Sequence, residues 1–380
     1  MKRVLGAVTI LFLLASLLPA QNPGSTGSYG FFHTYEGRVL NKGHFNIYTN
    51  FNFYSTKGEY LGTPPPDFKA ENWWLRAANL AFSVGIIKHL DVTAALRLYQ
   101  DTHYPNDYNL PDDIFLTIKA GSFNFVGRRF SGALQGTIRI PTGEVHNYSH
   151  VEYASGALEF GFLGAMSYFA DPYFPDRNFN LHYNVGLWFH NEKGQDITIP
   201  DQDPRKASVS SSKLIMALAA EQPLGLFDLR LELFGHIYLA KPDPFIYSAE
   251  DLAAITPGIR YKPLDWLSLD LGIDLRLSPG DRQRTSGVPN ASDTLDIPIS
   301  YPPWKVHAGL VFYILPAGKS KSYQLDIANP EARKRLEYYE MIMKESEKAK
   351  KVEKRVQKLR KERESVTKEI DKIKEEIEGG

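Results

Sequence analysis

Leu267-Ser268-Leu269-Asp270-Leu271-Gly272-Ile273-Asp274-Leu275-Arg276-Leu277-Ser278 alternates without a break. Leucine or isoleucine fills every odd position, and serine, aspartate, glycine or arginine fills every even one. A period of two with faces this different is a β-strand lying between an apolar medium and a polar one. Similar segments recur along the chain, and a bilayer outside with water inside accounts for the uniformity of both faces. The pattern predicts an all-β fold, an antiparallel transmembrane β-barrel.

Working outward, the same parity marks residues 45–54, with Phe45, Ile47, Phe51 and Phe53 opposite Asn46, Tyr48, Asn50 and Asn52. Leu80, Phe82, Val84 and Ile86 then lead through Lys88-His89 into Leu90, Val92, Ala94, Leu96 and Leu98, which predicts a hairpin. Further strands are expected at 114–120, 131–140, 157–169, 179–190, 213–221, 228–239, 254–262, 267–278 and 304–314. The total is about twelve strands, an even number as bacterial barrels require, and it sets the barrel at 44–316 after an N-terminal lead-in at 21–43. Short links at 88–89, 123–129, 171–178, 222–226 and 262–266 alternate with long ones such as 55–74, 100–111, 192–207 and 279–303. Outer-membrane barrels alternate in this way, with short turns and both chain ends on the periplasmic side. A soluble β-sandwich gives no reason for the alternation.

Composition narrows the class. No internal run of about 18 apolar residues marks a membrane helix, so a membrane role must use strands. Lys+Arg and Asp+Glu both number 44, which leaves no global charge to favour nucleic acid. The chain has no cysteine, which excludes disulfides, thiolate metal sites and a lipid-modified N-terminal Cys.

The two ends differ from the middle. Lys2 and Arg3 precede an apolar stretch from Val4 to Leu18, and small Ala20 precedes Gln21, so residues 1–20 read as a secretory signal peptide. After a linker at 317–329, residues 330–380 carry Tyr338, Ile342, Ala349, Val352, Val356, Leu359, Val366, Ile370, Ile373 and Ile377 mostly three or four apart. Lys, Arg and Glu fill the flanks, which predicts a long C-terminal α-helix or coiled coil in the periplasm, interrupted at Glu345 and Arg363. It would self-associate, dock on a periplasmic partner, or stand as a lone solvated helix.

The segment from His307 to Ile314 resembles the assembly signal on the closing strand of outer-membrane barrels, which implies recognition by the barrel assembly machinery. Ile314 stands where that signal usually has an aromatic residue. Three more stretches resemble the outer-membrane transporter-like barrels of the phenol-degradation meta-pathway family: Gly85-Ile86-Ile87-Lys88-His89-Leu90-Asp91-Val92, Ile138-Arg139-Ile140-Pro141-Thr142-Gly143 and Thr256-Pro257-Gly258-Ile259-Arg260-Tyr261. The resemblance spans roughly residues 36 to 316. It implies fold and bacterial outer-membrane location, and it names no substrate.

Chemistry-bearing motifs are scarce. The chain has no phosphate loop, no His-Glu-x-x-His, no Gly-x-Ser-x-Gly and no dinucleotide fingerprint, so no enzyme, cofactor or metal site is expected. His182, His190, His236 and His307 have no spacing that pairs them with a nucleophile. The Asp201-Gln202-Asp203 stretch reads as a solvated acidic turn in preference to a calcium loop. Trp73, Trp74, Trp188, Trp266 and Trp304 read equally as interfacial anchors or ordinary packing.

The candidates for function are the charged residues of inward parity: Arg97, Lys119, Arg139, Glu159, Arg230, Glu232, Arg260, Asp270, Asp274 and Arg276. Charges are costly against lipid and are expected to line the lumen, as a selectivity filter or as ion pairs that stiffen a closed barrel. The leading expectation is a narrow channel for passive transport of small polar or amphipathic solutes. The alternative is a structural anchor in the lipid bilayer whose coiled tail binds a periplasmic partner or the cell wall.

Overall fold

In the computed structural model the described residues are 23–24, 27–58, 71–102, 113–142, 150, 152–197, 206–243, 246, 250–279 and 301–315, together with isolated positions of the tail. The signal segment 1–20, the linker 317–329 and the Asp201–Asp203 turn lie outside them. Within the tail, residues 338, 341–342, 352, 355–357, 359, 362–364 and 366 are helical. Tyr338, Ile342, Val352, Val356, Leu359 and Val366 are exposed there, and the rest of the expected seam is outside the described residues.

Two short strands, β1 (Pro23–Gly24) and β2 (Gly27–Tyr29), pair with each other ahead of the main sheet. Twelve strands follow: β3 (Phe45–Gly58), β4 (Glu71–Ile87), β5 (Leu90–Thr102), β6 (Asp113–Phe125), β7 (Phe130–Pro141), β8 (Glu159–Phe169), β9 (Asn180–Phe189), β10 (Ser212–Leu224), β11 (Phe227–Ala240), β12 (Leu252–Leu264), β13 (Leu267–Arg276) and β14 (Trp304–Leu315). Each pairs antiparallel with the next, and β14 pairs with β3 to close the barrel.

Several ladders run further than the alternation does. β4 begins at Glu71, well before the Leu80 run, because a bulge between Ala78 and Asn79 breaks the parity while the hydrogen bonding continues: Ala78 faces Tyr99 and Asn79 faces Arg97. β6 continues past Ala120 through a second irregularity before Phe123. The link at 88–89 is the two-residue turn expected, and three others shorten, to two-residue turns at 225–226 and 265–266 and a four-residue turn at 126–129. Gly225 takes a left-handed φ of 72° at its turn, a conformation that suits glycine. Every short link, with both ends of the barrel wall, lies at one rim, and every long link at the other.

Outside and inside separate cleanly. On β11, Leu229, Leu231, Leu233, Ile237 and Leu239 are exposed while Asp228, Arg230, Glu232, His236 and Tyr238 are buried. On β9, Leu181, Tyr183, Val185 and Leu187 are exposed against buried Asn180, His182 and Asn184. The outer wall is apolar, reaching 70% exposure at Leu134 and 61% at Phe162. Trp304, on the register position opposite exposed Leu275, is partly buried and packs against Tyr54 and Leu75, where its edge meets the Tyr54 ring at 5.1 Å. Trp188 points its indole nitrogen to Glu159 Oε2 at 2.7 Å.

The stretch read as a plain lead-in has a definite structure. Residues 29–36 fold back as a hairpin, with Phe31 N bonded to Thr34 O (2.7 Å), Glu36 N to Tyr29 O (3.2 Å), and Gly30 bridged to Tyr35. The chain then leaves through Leu40 and the Asn41–His44 turn, where Gly43 N donates to Gly85 O (2.8 Å), and enters β3. The partners of this hairpin are on the inner faces of β8, β9, β11, β13 and β14, so it occupies the interior.

Candidate functional site: the lumen and its hairpin

Six backbone amides of the hairpin and of the segment that follows it donate to wall side chains. At the tip, Phe32 N and His33 N donate to Glu232 Oε1 and Oε2, both at 2.9 Å. Asn184 clamps Tyr35 at two points, accepting from its N at 2.7 Å and donating to its O at 2.8 Å. Gly37 N donates to Ser167 Oγ (2.7 Å), Val39 N to Ser122 Oγ (3.0 Å) and Leu40 N to Asp91 Oδ2 (2.9 Å). These bonds satisfy amides that a non-regular segment inside a barrel would otherwise leave unpaired.

Side chains complete the fit. The ring of Phe32 lies over Gly258 and Gly272, where a Cβ on Gly272 would come within 2.5 Å of its Cε2, and it tilts against His307 with centroids 4.9 Å apart. Two glycines on an otherwise polar inner face are therefore the seat of an aromatic ring from elsewhere in the chain. His33 stacks on Phe234 at 3.6 Å, and the Arg230 guanidinium sits over Phe31 at 4.7 Å. Arg38 reaches Glu36 Oε2 at 2.7 Å and lies over the Tyr29 and Phe169 rings.

The ten residues singled out from parity all have identified partners. Near the short-turn rim, Arg230 bonds Glu221 through Nε and Nη2 at 3.0 and 2.9 Å, with Asp270 3.6 Å away. Arg260 is bidentate on Asp270 at 2.5 Å. Lys119 is fully buried and reaches Tyr29 O at 3.5 Å. Toward the long-loop rim, Arg139 bonds Asp113 at 2.5 to 2.9 Å and Tyr153 O at 3.1 Å. Glu159 accepts from Trp188, from Ser155 and at 3.0 Å from the His190 ring. Arg97 meets Glu152 at 3.2 Å, and Arg276 donates to Tyr301 O at 2.9 Å. Glu232 holds the hairpin tip. Asp274 gathers His33 (2.9 Å), His307 (2.8 Å), Lys305 (3.1 Å) and the Thr256 hydroxyl (2.7 Å).

Sequence reasoning missed the partners Asp113, Glu221, His33 and Glu36, although the first two share the inward parity of their strands. It also missed that the long loops pack together: Tyr153, Ile197, Ala207 and Ile246 form a buried cluster, and Asp243 accepts from the amide and hydroxyl of Ser208. At the opposite rim, a 3-10 turn at Pro175–Arg177 carries Asp176, whose carboxyl is pushed up to about 6 by burial against the opposing pull of Arg38 and Lys262.

No family model matches the chain, so the phenol-degradation resemblance has no family match behind it, and no curated protein matches either. Among solved structures, the chain is similar to the NanC porin, at 10% identity and a TM-score of 0.43 over 70% of this chain and 100% of that one. It is also similar to the COG4313 outer membrane channel from Pseudomonas putida F1, at 8% identity and 0.46 over 73% and 98%. The outer membrane channel DcaP of Acinetobacter baumannii matches at 8% identity and 0.29 over 74% and 100%. All these scores lie below 0.5, and the twelve-stranded barrel described above stands on its own strand pairing.

Proposed function

We propose that this chain is an outer-membrane β-barrel that provides a narrow channel for small polar or amphipathic solutes and is closed at rest by its own N-terminal hairpin. The observation that carries this reading is the way the hairpin is held. Its backbone bonds to serine, asparagine, aspartate and glutamate side chains of the wall, groups that water can satisfy equally well once the segment moves. An apolar outer wall around a charged interior supports the bilayer location, because exposed leucine and phenylalanine at this density are stable in lipid and lumen charges are not. The short-turn rim would face the periplasm, with the tail on that side to self-associate or bind a periplasmic partner.

Single-channel recording in planar bilayers tests this. The mature chain should open rarely, and deletion of residues 29–40 should give a steady conductance. A second reading, a structural anchor, is favoured by the number of buried ion pairs that fill the interior. It expects both proteins to remain silent, and that result would displace the channel.

A further inference from the structure

Among the described residues, two clusters of potential metal ligands tie the hairpin to the wall. In the first, the Asp274 carboxylate accepts from His33 and Thr256 and has His307 Nε2 at 2.8 Å and the Lys305 ammonium at 3.1 Å from Oδ2, so a cation of the chain already sits on that carboxylate. In the second, Glu36 of the hairpin meets His182 of β9 and Glu221 of β10, one ligand atom from each lying within 4.8 Å of the others, and all three residues are buried. Glu36 Oε1 and His182 Nε2 are shut away from solvent with no hydrogen-bond partner. Two buried polar atoms without a hydrogen-bond partner in a closed interior each carry a desolvation cost.

We infer that Glu36, His182 and Glu221 form a binding site for one divalent first-row transition-metal ion that bridges the hairpin to the barrel wall. The surrounding contacts orient the donors as such a site needs. Ser167 Oγ holds His182 Nδ1 at 2.8 Å, which leaves Nε2 as the ring atom turned to the carboxylates. Arg38 holds Glu36 by Oε2, leaving Oε1 inward, and Arg230 holds Glu221 by Oε1, leaving Oε2, which also takes a 3.4 Å hydrogen bond from Asn180. The set is one imidazole nitrogen and two carboxylate oxygens with no thiolate, a donor set that suits zinc, manganese or iron and is poorer for calcium because of the nitrogen. Two guanidiniums close by oppose the ion's charge, and the Asp176 carboxyl interacts with both glutamates from the turn below. The site does not depend on the channel reading: it would staple the hairpin in an anchor as well as in a gate.

The test is zinc binding to the metal-stripped, detergent-solubilised full chain, measured by equilibrium dialysis with elemental analysis. The expected result is uptake that falls by one equivalent in both Glu36→Gln and His182→Gln and is unchanged in His307→Gln. Excess calcium should fail to displace that equivalent. X-ray absorption of the zinc should show a shell of nitrogen and oxygen only, with one imidazole. Heat-modifiable gel mobility checks that each variant folds, and Glu36→Gln lies outside the barrel wall, so it keeps the test available if His182→Gln does not assemble. Absence of zinc uptake by the parent chain, uptake in both site variants undiminished from that of the parent, or loss confined to His307→Gln would each overturn the assignment.

Discussion

In the proposed gate, Glu232 is the wall residue that holds the hairpin tip most directly. Its two carboxylate oxygens accept from Phe32 N and His33 N at 2.9 Å each, and Glu232→Ala removes both acceptors at once. A buried donor left unpaired costs about 1–3 kcal/mol, with bonds to charged acceptors toward the upper end, so the seated hairpin should lose about 2–6 kcal/mol. At about 1.4 kcal/mol per decade, the equilibrium between seated and displaced hairpin shifts by about 30-fold to about 10⁴-fold. The lower figure applies if water enters the vacated space and bonds both amides. Glu232→Gln keeps one carbonyl oxygen for one of the two amides and should produce roughly half the free-energy change. The assay is open probability in planar bilayers, with the hairpin deletion as the fully open reference. A Glu232→Ala barrel as closed as its parent, while the deletion conducts, would refute the idea that these bonds hold the gate.

Four further outcomes are expected. Leu271 is 55% exposed on the outer wall, so Leu271→Arg should lower barrel stability by about 2–4 kcal/mol in lipid if it sits near the midplane, measured by reversible unfolding in vesicles. Asp270→Asn, on the inner face of the same strand, should cost a comparable amount, about 3–5 kcal/mol, because it strips the buried Arg260 of its bidentate partner. For orientation, a cysteine at exposed Lys193 in the β9–β10 loop should react with an impermeant thiol reagent on intact cells, and one at Lys88 should react after permeabilisation alone; the reverse pattern would invert the topology. For the tail, a peptide of residues 331–378 should be helical with a concentration-dependent melting point, and Leu359→Asp with Ile370→Asp should abolish that dependence; a monomeric parent peptide would shift the tail from self-association to docking.

The wall was legible because lipid imposes a binary choice at each position, and a strand writes that choice with a period of two. The strand ends were less legible, since hydrogen bonding continues through bulges such as Ala78/Asn79 where the parity slips. The charge partners divide by connection length. Glu221 faces Arg230 across the two-residue turn at Gly225-Leu226, so once the turn is fixed the register follows and the ion pair with it. Arg139 faces Glu159 across a long loop whose length sets no register, and that neighbourhood could not be read from spacing.

The hairpin was hidden for a different reason. A strand shares its two environments along its whole length, whereas successive residues of the hairpin meet Glu232 of β11, Asn184 of β9, Ser167 of β8 and Asp91 of β5 in turn. No period arises when each residue answers to a different strand, and most of the bonds are made by backbone amides, which every residue but proline carries. The signal that did exist lay in the wall. Gly258 and Gly272 stand on inner faces whose other members include Thr256, Arg260, Asp270 and Asp274, and a barrel interior with no visiting segment gives no reason to leave two adjacent positions without side chains. The gap they form is filled by Phe32. An inward glycine pair among large polar residues is thus a mark of a guest side chain, and in this chain it points to the aromatic tip of the segment that precedes the first wall strand.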